Sequence, residues 1–591
     1  MKKLATMFIA VLIAIVSMFG GLIGCNREEV EKVDSEKTQL YVGVYNAGFG
    51  TEYVKDLKER FEAEYEGVSF EKDKVGVQIV MRDVEQGGVF LGQIGSRDIP
   101  EVFFTSNADY YQFYDRGYIL NIDDVVTENP TAYGDIGTIE SRMTEEAKKF
   151  FETDEGYFAV PYVTSYEGIV MNVKIWEDEG LYFAKGGAPS EFCTFTQTNN
   201  DNPATLPEGV TEWNDDLYEF TGTGEKSAGP DGKYGTSDDG QPATYEEFLI
   251  FCDNCYANGV QAFHWAGRWP QTISKVGMSM VADFEGIDQM KLNYTYDGMA
   301  TSLVDVDSNG NVTPLPAQKI DNSNGYLLAK QEGKYQVLKF WEELLHSNNY
   351  FNPTVSLDTK NHETSDAIAD FVTGGILSGK TKIATLLDGT WFWNECQLSV
   401  DVVEQATDGQ LNKDNMKFQM MAFPKATMQK VGEPMTMCID GTSICAINSR
   451  TPSWKVDLAK KFVRFAFTNE SNVKFTEITS CLRDFDYTEP SNYLQNNYFA
   501  KNLYEMNKSA NRMLTASDNP MYIYNAVNFY NSEIFWSSEI NGTLYNVPCT
   551  AMVKENVSAE SYFNGMQNYR NKEDWDTLYS DYYYYNASNN D

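Results

Sequence analysis

The chain has 591 residues, and its 86 acidic side chains outnumber the 47 lysines and arginines to give a formal net charge of -39. So negative a protein repels nucleic acid, anionic lipid surfaces and polyanionic ligands, which leaves a neutral or cationic ligand as the favoured class. The alternative is that the acidity only keeps a surface protein soluble. A chain of this length predicts two large lobes or several structural layers rather than one small core.

The N-terminus has the pattern of an export signal. Two lysines precede an apolar run from Leu4 to Ile23, which ends in the tetrapeptide Leu-Ile-Gly-Cys at Cys25. This pattern predicts a signal peptide over residues 1–24. The run is also long enough to cross a bilayer as a helix, so a permanent membrane anchor is the alternative. The tetrapeptide resembles the lipobox of bacterial lipoproteins, which implies that the Cys25 sulfur carries a diacylglycerol and that residues 25–38 form a polar tether.

The first part of the mature chain alternates between the two periodicities of regular structure. Period-2 runs predict strands at residues 39–45, 77–81 and 101–104. Apolar residues at helical spacing predict helices at residues 51–65 and 108–116. Alternating strands and helices indicate an α/β lobe.

Later segments continue the α/β pattern. A capping box at Thr244 and Glu247 predicts the start of a helix, and a further helix is predicted at 334–345. Residues 437–447 predict a strand interrupted at Asp440, with a helix following from Ser453. Residues 186–242 are rich in Gly, Pro, Asn, Thr and Asp, which predicts a surface insertion within a domain.

The cysteines and histidines give no regular metal or disulfide pattern. Eight cysteines besides Cys25 are irregularly spaced, so disulfides are not implied. Cys252 and Cys255 share one helical face with Phe248 and are predicted to be buried free thiols. The three histidines are scattered along the sequence, which argues against a zinc site.

Several segments, taken in order, resemble the carbohydrate-specific extracellular solute-binding proteins of ABC importers, the maltose-binding-protein-like superfamily. The resemblance covers nearly the whole mature chain, and the order of the segments is more specific than any one of them. The segments are residues 41–65, 109–122 (DYYQFYDRGYILNI), 160–172, 244–248, 379–391 (GKTKIATLLDGTW) and 440–465.

The resemblance implies an α/β, two-lobed periplasmic-binding-protein fold, class II-like, with hinge crossovers and a ligand cleft between the lobes. Lobe 1 would comprise residues 39–160 and about 441–520, and lobe 2 residues 161–440 and about 521–591. Ligand would be captured by closure about the hinge.

The resemblance also implies a function. The chain would bind oligosaccharides on the outer face of the bacterial cytoplasmic membrane, held there by its lipid alone. It would deliver them to the permease subunits of an ABC transporter as a monomer without enzymatic activity or a required cofactor. Two alternatives are a secreted glycan-active hydrolase and a ligand-sensing lipoprotein that feeds a membrane receptor.

Sugar pockets need flat aromatic side chains for the C–H faces and polar groups for the hydroxyls. Trp265 and Trp269 lie in one turn-like stretch, and Trp391 and Trp393 lie in another. The resemblance implies that Trp391 lines the cleft. The alternative for each tryptophan is a place in the core.

Polar candidates follow the predicted strands, because open α/β sheets place ligands at the carboxyl ends of their strands. Each could instead cap a helix or satisfy a turn. The ligand-binding candidates near the predicted strands are Asn46, Phe49, Asn107, Asp109, Tyr166, Glu167 and Asp440, and Arg483 in the loop after the Phe462 helix is a further one.

A glycine-rich loop at residues 229–240 concentrates three carboxylates. Calcium prefers clustered oxygen ligands on a sharply turning backbone, so the loop predicts a structural Ca²⁺ site, although it departs from the EF-hand pattern. The candidate ligand-bearing residues are Asp231, Lys233, Thr236, Asp238 and Asp239. Residues 374–381 (GGILSGKT) satisfy the phosphate-loop formula, but a helix-like stretch precedes them and a strand-like one follows, the reverse of what a phosphate loop needs.

Overall fold

The computed structural model describes residues 32–94, 100–106, 110–128, 133–135, 137–163, 165–185, 218–439, 443–483, 485–521 and 535–589. The predicted signal peptide, Cys25 and most of the predicted insertion lie outside these ranges, as do the candidates Asn107, Asp109 and Asp440. Among the helices in the described ranges, none combines the length and the apolar character needed to cross a bilayer.

Lobe 1 begins with a βαβ arrangement. Strand β1 (Thr38–Val44) pairs in parallel with β2 (Val77–Asp83) on one side and with β3 (Val102–Thr105) on the other. The first helix, α1 (Glu52–Glu64), buries one face that includes Val54, Leu57 and Phe61, as its 3–4-residue spacing predicts. The elements that follow in this lobe are α2 (Gly87–Gln93), α3 (Tyr110–Asp115), α4 (Asp123–Thr127), α5 (Ile139–Arg142), α6 (Glu145–Phe151), β4 (Glu152–Thr153), β5 (Gly156–Tyr157) and β6 (Ala159–Pro161).

The chain then crosses into lobe 2, which is built on a second sheet. The strands in its first part are β7 (Glu167–Asn172), β8 (Tyr182–Phe183), β9 (Phe220–Thr221), β10 (Val260–His264), β11 (Gly298–Ala300), β12 (Val304–Val306), β13 (Val312–Pro314), β14 (Gln318–Ile320), β15 (Lys382–Gly389), β16 (Phe418–Met420) and β17 (Thr436–Ile439). The helices are α7 (Val173–Glu179), α8 (Tyr245–Ala257), α9 (Thr272–Glu285), α10 (Ile287–Thr295), α11 (Glu332–His346), α12 (Pro353–Ser356), α13 (Thr364–Thr373), α14 (Phe392–Glu395) and α15 (Gln397–Ala406). Short 3₁₀ helices span Gly325–Lys330 and Met428–Lys430.

The chain returns to lobe 1 through β18 (Ile444–Ile447), which pairs antiparallel with both β3 and β6. The remaining elements are a 3₁₀ helix (Ser453–Lys455), α16 (Val456–Ala466), α17 (Asn469–Thr479), α18 (Ser491–Asn496), α19 (Tyr498–Ser509), β19 (Asn511–Leu514), β20 (Ser538–Ile540), β21 (Thr543–Tyr545), α20 (Pro548–Glu555), α21 (Ala559–Tyr569) and α22 (Lys572–Asn589).

Two sheets and two hydrophobic cores define the lobes. The lobe 1 sheet has the strand order β2-β1-β3-β18-β6, and the lobe 2 sheet has the order β10-β15-β7-β16. In the second sheet β10 and β15 are parallel, and β7 runs antiparallel to β15. The buried residues divide into one cluster under each sheet. The predicted α/β architecture with two lobes is confirmed.

The last crossing between the lobes comes earlier than the predicted boundary near residue 520. Phe499, Leu503 and Met513 lie in the lobe 2 core, whereas Phe475 and Phe485 lie in the lobe 1 core. The chain therefore leaves lobe 1 between Phe485 and Phe499. Helix α19 packs on β16, which its buried apolar face requires.

Two local predictions have a clear structural outcome. The Thr244 hydroxyl caps α8 by accepting the Glu247 backbone N–H, as predicted, and the Glu247 carboxylate accepts the N–H of Ala243. Cys252 and Cys255 are buried free thiols, and so are the other described cysteines. Residues 374–381 follow helix α13 and precede strand β15. As predicted, this order is the reverse of the one that a phosphate loop needs.

Candidate functional site

A cavity of about 240 Å³ opens on lobe 2 where β10 and β15 end and β7 begins. The carboxyl ends of parallel strands leave backbone groups and loops free to meet a ligand, which is where open α/β sheets bind. The residues that line the cavity are Glu167, Ala266, Trp269, Gln271, Thr272, Lys275, Thr364, Ala367, Leu386, Leu387, Asp388, Trp391 and Glu395.

Two of the tryptophans predicted to bind ligand line this cavity. One follows each of the parallel strands β10 and β15. Trp269 follows β10 and is 46% exposed, a large fraction for an indole in a folded lobe. Trp391 follows β15 and is half-buried. An exposed flat aromatic ring beside polar groups can stack on the apolar face of a sugar.

Trp391 also forms part of the contact between the lobes. A methyl group at Gly389 of lobe 2 would lie 2.4 Å from its ring, and one at Gly48 of lobe 1 would lie equally close. The indole therefore lies against two glycine backbones, one from each lobe. Asn394, three residues further on, donates its side-chain N–H to the Gly48 carbonyl oxygen at 2.7 Å.

Three carboxylates and one lysine supply the ionisable groups of the cavity. Lys275 donates to Glu167 at 2.6 Å, so this pair is neutral as a unit. Asp388 is buried and accepts hydrogen bonds from the Gly389 backbone N–H and from Trp391. These carboxylates can accept hydrogen bonds from sugar hydroxyls at fixed positions.

Burial changes the acidity of two of these groups. Burial, followed by the negative charge of Glu395, raises the pKa of Asp388 well above its usual range. Burial raises the pKa of Glu395 to about 7, and its Oε2 is buried without a hydrogen-bond partner. Near neutral pH the pair therefore holds a proton and can donate a hydrogen bond as well as accept one.

No family model matches the chain, and no curated protein sequence matches it. Solved structures do. A chitin oligosaccharide binding protein is 14% identical over 91% of this chain and 98% of its own, with a TM-score of 0.51. A structure from work on xylan utilization by the thermophilic bacterium Caldanaerobius polysaccharolyticus is 11% identical over 90% of this chain and all of its own, with a TM-score of 0.52. This chain has the two-lobed fold of the solute-binding proteins.

One tryptophan that was predicted to stack on a ligand is completely buried in this fold. Trp265 is 0% exposed and its ring stacks on Phe351, with the two centroids 5.1 Å apart. The sequence-based assignment of Trp265 as a ligand platform is therefore corrected to a core residue. Trp393 packs against lobe 2 beside Phe418 and does not line the cavity.

Three further candidates are structural in this fold. Phe49 is 4% exposed and packs on Tyr162 in the lobe 1 core. Tyr166 is 3% exposed in the lobe 2 core. Arg483 is 1% exposed, donates to the Tyr162 carbonyl oxygen at 2.7 Å and lies over the ring of Phe475. Each side chain is enclosed by protein, so none of them is accessible to a sugar in this conformation.

Of the remaining polar candidates, Glu167 lines the cavity, and Asn46 is exposed on the lobe 1 turn that contacts Trp391. Sequence reasoning missed the polar groups Gln271, Lys275, Asp388 and Glu395. A signal for Asp388 was present, because it comes at the end of a strand-like run and three residues before Trp391.

The predicted calcium loop satisfies its carboxylates internally. The buried Asp238 accepts the backbone N–H of Asp231 and the hydroxyl of Thr236, and Asp239 accepts the N–H of Gly235. Asp231 accepts the N–H of Lys233 in turn. Within the described ranges, the group of three side chains that are of a type able to bind a metal and close enough to share an ion is elsewhere, at His264, His362 and Asp370. The described geometry thus does not gather the loop carboxylates around an ion, and calcium at this loop stays a prediction.

Proposed function

We propose that this chain is a binding protein that captures oligosaccharides outside the cytoplasm and delivers them to an ABC transporter. The observation that carries the proposal is the cavity on lobe 2, where the exposed ring of Trp269 and the half-buried ring of Trp391 accompany fixed carboxylates. The stacking surface and the hydrogen-bond acceptors are the two kinds of group that sugar recognition needs.

The contact between the lobes supports capture by closure. Gly48 of lobe 1 lies against Trp391 and Glu395, both of which line the cavity. A sugar stacked on Trp391 would therefore lie beside the surface where the lobes meet, and its binding would favour the arrangement in which they touch. The named ligand of one structural neighbour, a chitin oligosaccharide, agrees with a sugar ligand for this chain.

The test is a calorimetric titration with neutral oligosaccharides of different linkage and length, including chitin-derived and xylan-derived hexamers. We expect a dissociation constant of roughly 1 µM for the preferred sugar, equivalent to about -8 kcal/mol. Small-angle X-ray scattering of the saturated protein should show a smaller radius of gyration than the free protein if closure accompanies binding.

The same samples distinguish a binding protein from the hydrolase alternative. Chromatography of the sugar after a long incubation should recover it intact. Steady release of shorter products would make the chain a glycan-active enzyme, and failure of every sugar to bind would remove the proposed ligand class.

Attachment to the membrane belongs to the same proposal. A lipid on Cys25 would hold the lobes at the outer face of the membrane through the polar tether at residues 25–38, close to the permease subunits. A pull-down from detergent-solubilised membranes with and without sugar would test delivery, because the permease should be retained more strongly by the sugar-loaded protein.

A further inference from the structure

The turn that carries Trp269 is held in place by His362. The backbone N–H of Arg268 donates to the His362 carbonyl oxygen at 2.8 Å, and the N–H of Gly267 donates to the His362 ring nitrogen Nδ1 at 3.1 Å. The turn also packs closely on residues 355–362, since a methyl group at Gly267 would be 2.3 Å from the carbonyl oxygen of Val355. This contact therefore contributes to the position of the indole.

The acceptor role of Nδ1 fixes the protonation state of the His362 ring. A nitrogen that accepts a hydrogen bond uses its lone pair, so the neutral ring carries its proton on Nε2. His362 is only 8% exposed. Its Nε2 faces the Asp370 carboxylate, 3.6 Å from Oδ2, which is an electrostatic contact rather than a hydrogen bond.

The groups on neighbouring elements stay in fixed charge states around neutral pH. Burial is the main cause that lowers the pKa of His264, on β10, to about 4, so that ring is neutral. Although burial opposes it, His362 and Lys380 lower the pKa of Asp370, on α13, to about 2, so that carboxylate is charged. Lys380 donates to Asp370 at 2.6 Å.

Three more charged groups surround His362 in or beside its own segment. Asp358 precedes it, and Glu363 follows it and lies 3.7 Å from Arg268. The Arg268 guanidinium also donates to the Thr359 carbonyl oxygen. The Arg268 side chain thus adds a second attachment between the turn and the His362 segment, but this attachment is exposed and does not depend on the imidazole.

The ring geometry argues against a metal ion at this cluster. Ligand atoms of His264, His362 and Asp370 lie within 4.8 Å of one another. A histidine that binds a metal through one nitrogen donates a hydrogen bond through the other. In His362 the other nitrogen accepts from Gly267, and in His264 Nδ1 lies 3.0 Å from the amide nitrogen of Gln261, which is a donor.

We propose that His362 is a positioning residue for the Trp269 platform: the neutral ring holds the turn through Nδ1, and protonation of the ring releases it. The step from turn to sugar binding rests on the proposed function, but the hold on the turn does not. A protonated imidazole carries a hydrogen on both nitrogens, so Nδ1–H would face the Gly267 N–H and their hydrogen bond would be lost. Imidazoles change charge between about pH 5 and pH 8.

The first experiment needs no sugar. Amide hydrogen exchange of residues 264–270 is measured by mass spectrometry at pH 7.5 and pH 5.5 and corrected for the intrinsic pH dependence of exchange. Loss of one hydrogen bond should raise the corrected exchange rate of the wild-type turn about fivefold at the lower pH.

Two variants of matched size separate the acceptor from the bulk of the side chain. His362→Asn keeps an acceptor oxygen near the position of Nδ1 and cannot become charged, so its turn should stay protected at both pH values. His362→Leu has a similar shape without an acceptor, so its turn should exchange fast at both. Equal protection in wild type at the two pH values, or full protection in His362→Leu, would overturn the proposal.

Titrations with chitohexaose and xylohexaose complete the test. If either binds, wild type should lose about fivefold in affinity at pH 5.5, His362→Asn should not, and a flat profile in wild type would overturn the role of His362 in binding. If neither binds but the exchange pattern is as expected, the hold on the turn stands and the proposed sugar class fails. Stabilisation of wild type by Zn²⁺ alone, absent in His362→Asn, would show a metal site and overturn the proposal.

Discussion

Asn394 of lobe 2 donates its side-chain N–H to the carbonyl oxygen of Gly48 of lobe 1, with 2.7 Å between nitrogen and oxygen. This hydrogen bond joins the turn after β1 to the short helix α14, which directly follows Trp391 of the cavity. The residues that join the lobes and the tryptophan that would stack on a sugar are therefore neighbours in the chain. A change at Gly48 should affect sugar binding because it changes how the two lobes meet.

Gly48→Ala should weaken sugar binding without unfolding either lobe. The added methyl would lie 2.4 Å from the Trp391 ring and 2.6 Å from a Glu395 oxygen, but only while the lobes are in contact. Overpacking costs about 1–3 kcal/mol, which corresponds to a loss of affinity of roughly five- to 150-fold if the cost falls on the closed state alone. Calorimetry gives the affinity, and scattering gives the radius of gyration of the saturated protein.

The matched control for this change is Gly67→Ala, because a methyl group there would meet nothing within 4 Å. It should leave affinity, melting temperature and radius of gyration unchanged. Wild-type affinity and compaction in Gly48→Ala would contradict the role of this contact in closure.

Two tryptophans of one turn should respond differently to truncation. Trp269→Ala should cost on the order of 2 kcal/mol or more of binding free energy with little change in melting temperature, because its exposed ring supports little core. Trp265→Ala should lower the free energy of unfolding by about 3–5 kcal/mol, because its ring is fully buried against Phe351. Calorimetry and chemical denaturation of both variants check this. A destabilised Trp269→Ala with normal affinity would reverse the assignment.

These two tryptophans show which structural features the sequence alone could not predict. Strand and helix periodicities predicted β1, α1 and the cap of α8 correctly, since these depend on residues close together in the chain. Trp265 and Trp269 have the same local surroundings in the sequence. Which of them faces the core is decided by Phe351, far away in the chain, and no local pattern carries that information.

The histidines show the same limit. His264 and His362 are scattered in sequence, yet the fold brings their rings to 5.3 Å between centroids. Of the two carboxylates that the sequence analysis missed, Asp388 could have been predicted, because it lies near the end of a strand. Glu395 could not, because it reaches the cavity from the helix after Trp391. Tertiary contacts of this kind depend on how elements pack rather than on which elements form.

Cys25→Ser should abolish the lipid-modified mature form of the protein. If the thiol carries the lipid, the variant cannot be modified, and it should appear in the soluble fraction or remain as an uncleaved precursor of higher mass. Fractionation of cells followed by mass spectrometry of the N-terminus checks this. Membrane retention at the mature mass in the variant would mean that the apolar run from Leu4 to Ile23, or another contact, provides the anchor.

Calcium should raise the melting temperature if the loop at residues 229–240 binds it, since an ion that binds only the folded state stabilises by mass action. Asp231→Asn and Asp239→Asn should remove the shift, whereas Asp297→Asn, on an exposed turn elsewhere in lobe 2, should keep it. Differential scanning calorimetry with chelator and with added Ca²⁺ measures the effect. Identical melting curves in both conditions would leave the loop as a turn held by its own hydrogen bonds.

Glu395→Gln should stabilise the protein most at alkaline pH. Burial raises the pKa of Glu395 in the folded protein to about 7, whereas an unfolded glutamate titrates near 4.3. Between these values the folded state binds more protons than the unfolded state, so the contribution of this group to stability falls as pH rises and is lowest above pH 7. A neutral amide removes that loss, so the melting temperatures of variant and wild type should separate progressively from about pH 4.5 to pH 7.5.

The control for Glu395→Gln is Glu59→Gln on the exposed face of α1, which should show no such dependence on pH. Sugar binding gives a second measurement on the same variant. Because the buried pair of Asp388 and Glu395 shares a proton near neutral pH, wild-type affinity should change as Glu395 ionises, and the affinity of the variant should be less sensitive to pH over the same interval. Parallel melting curves for Glu395→Gln and wild type across this range would show that Glu395 is charged in the folded protein, and the hydrogen-bond donor that we assign to the cavity would have to come from another group.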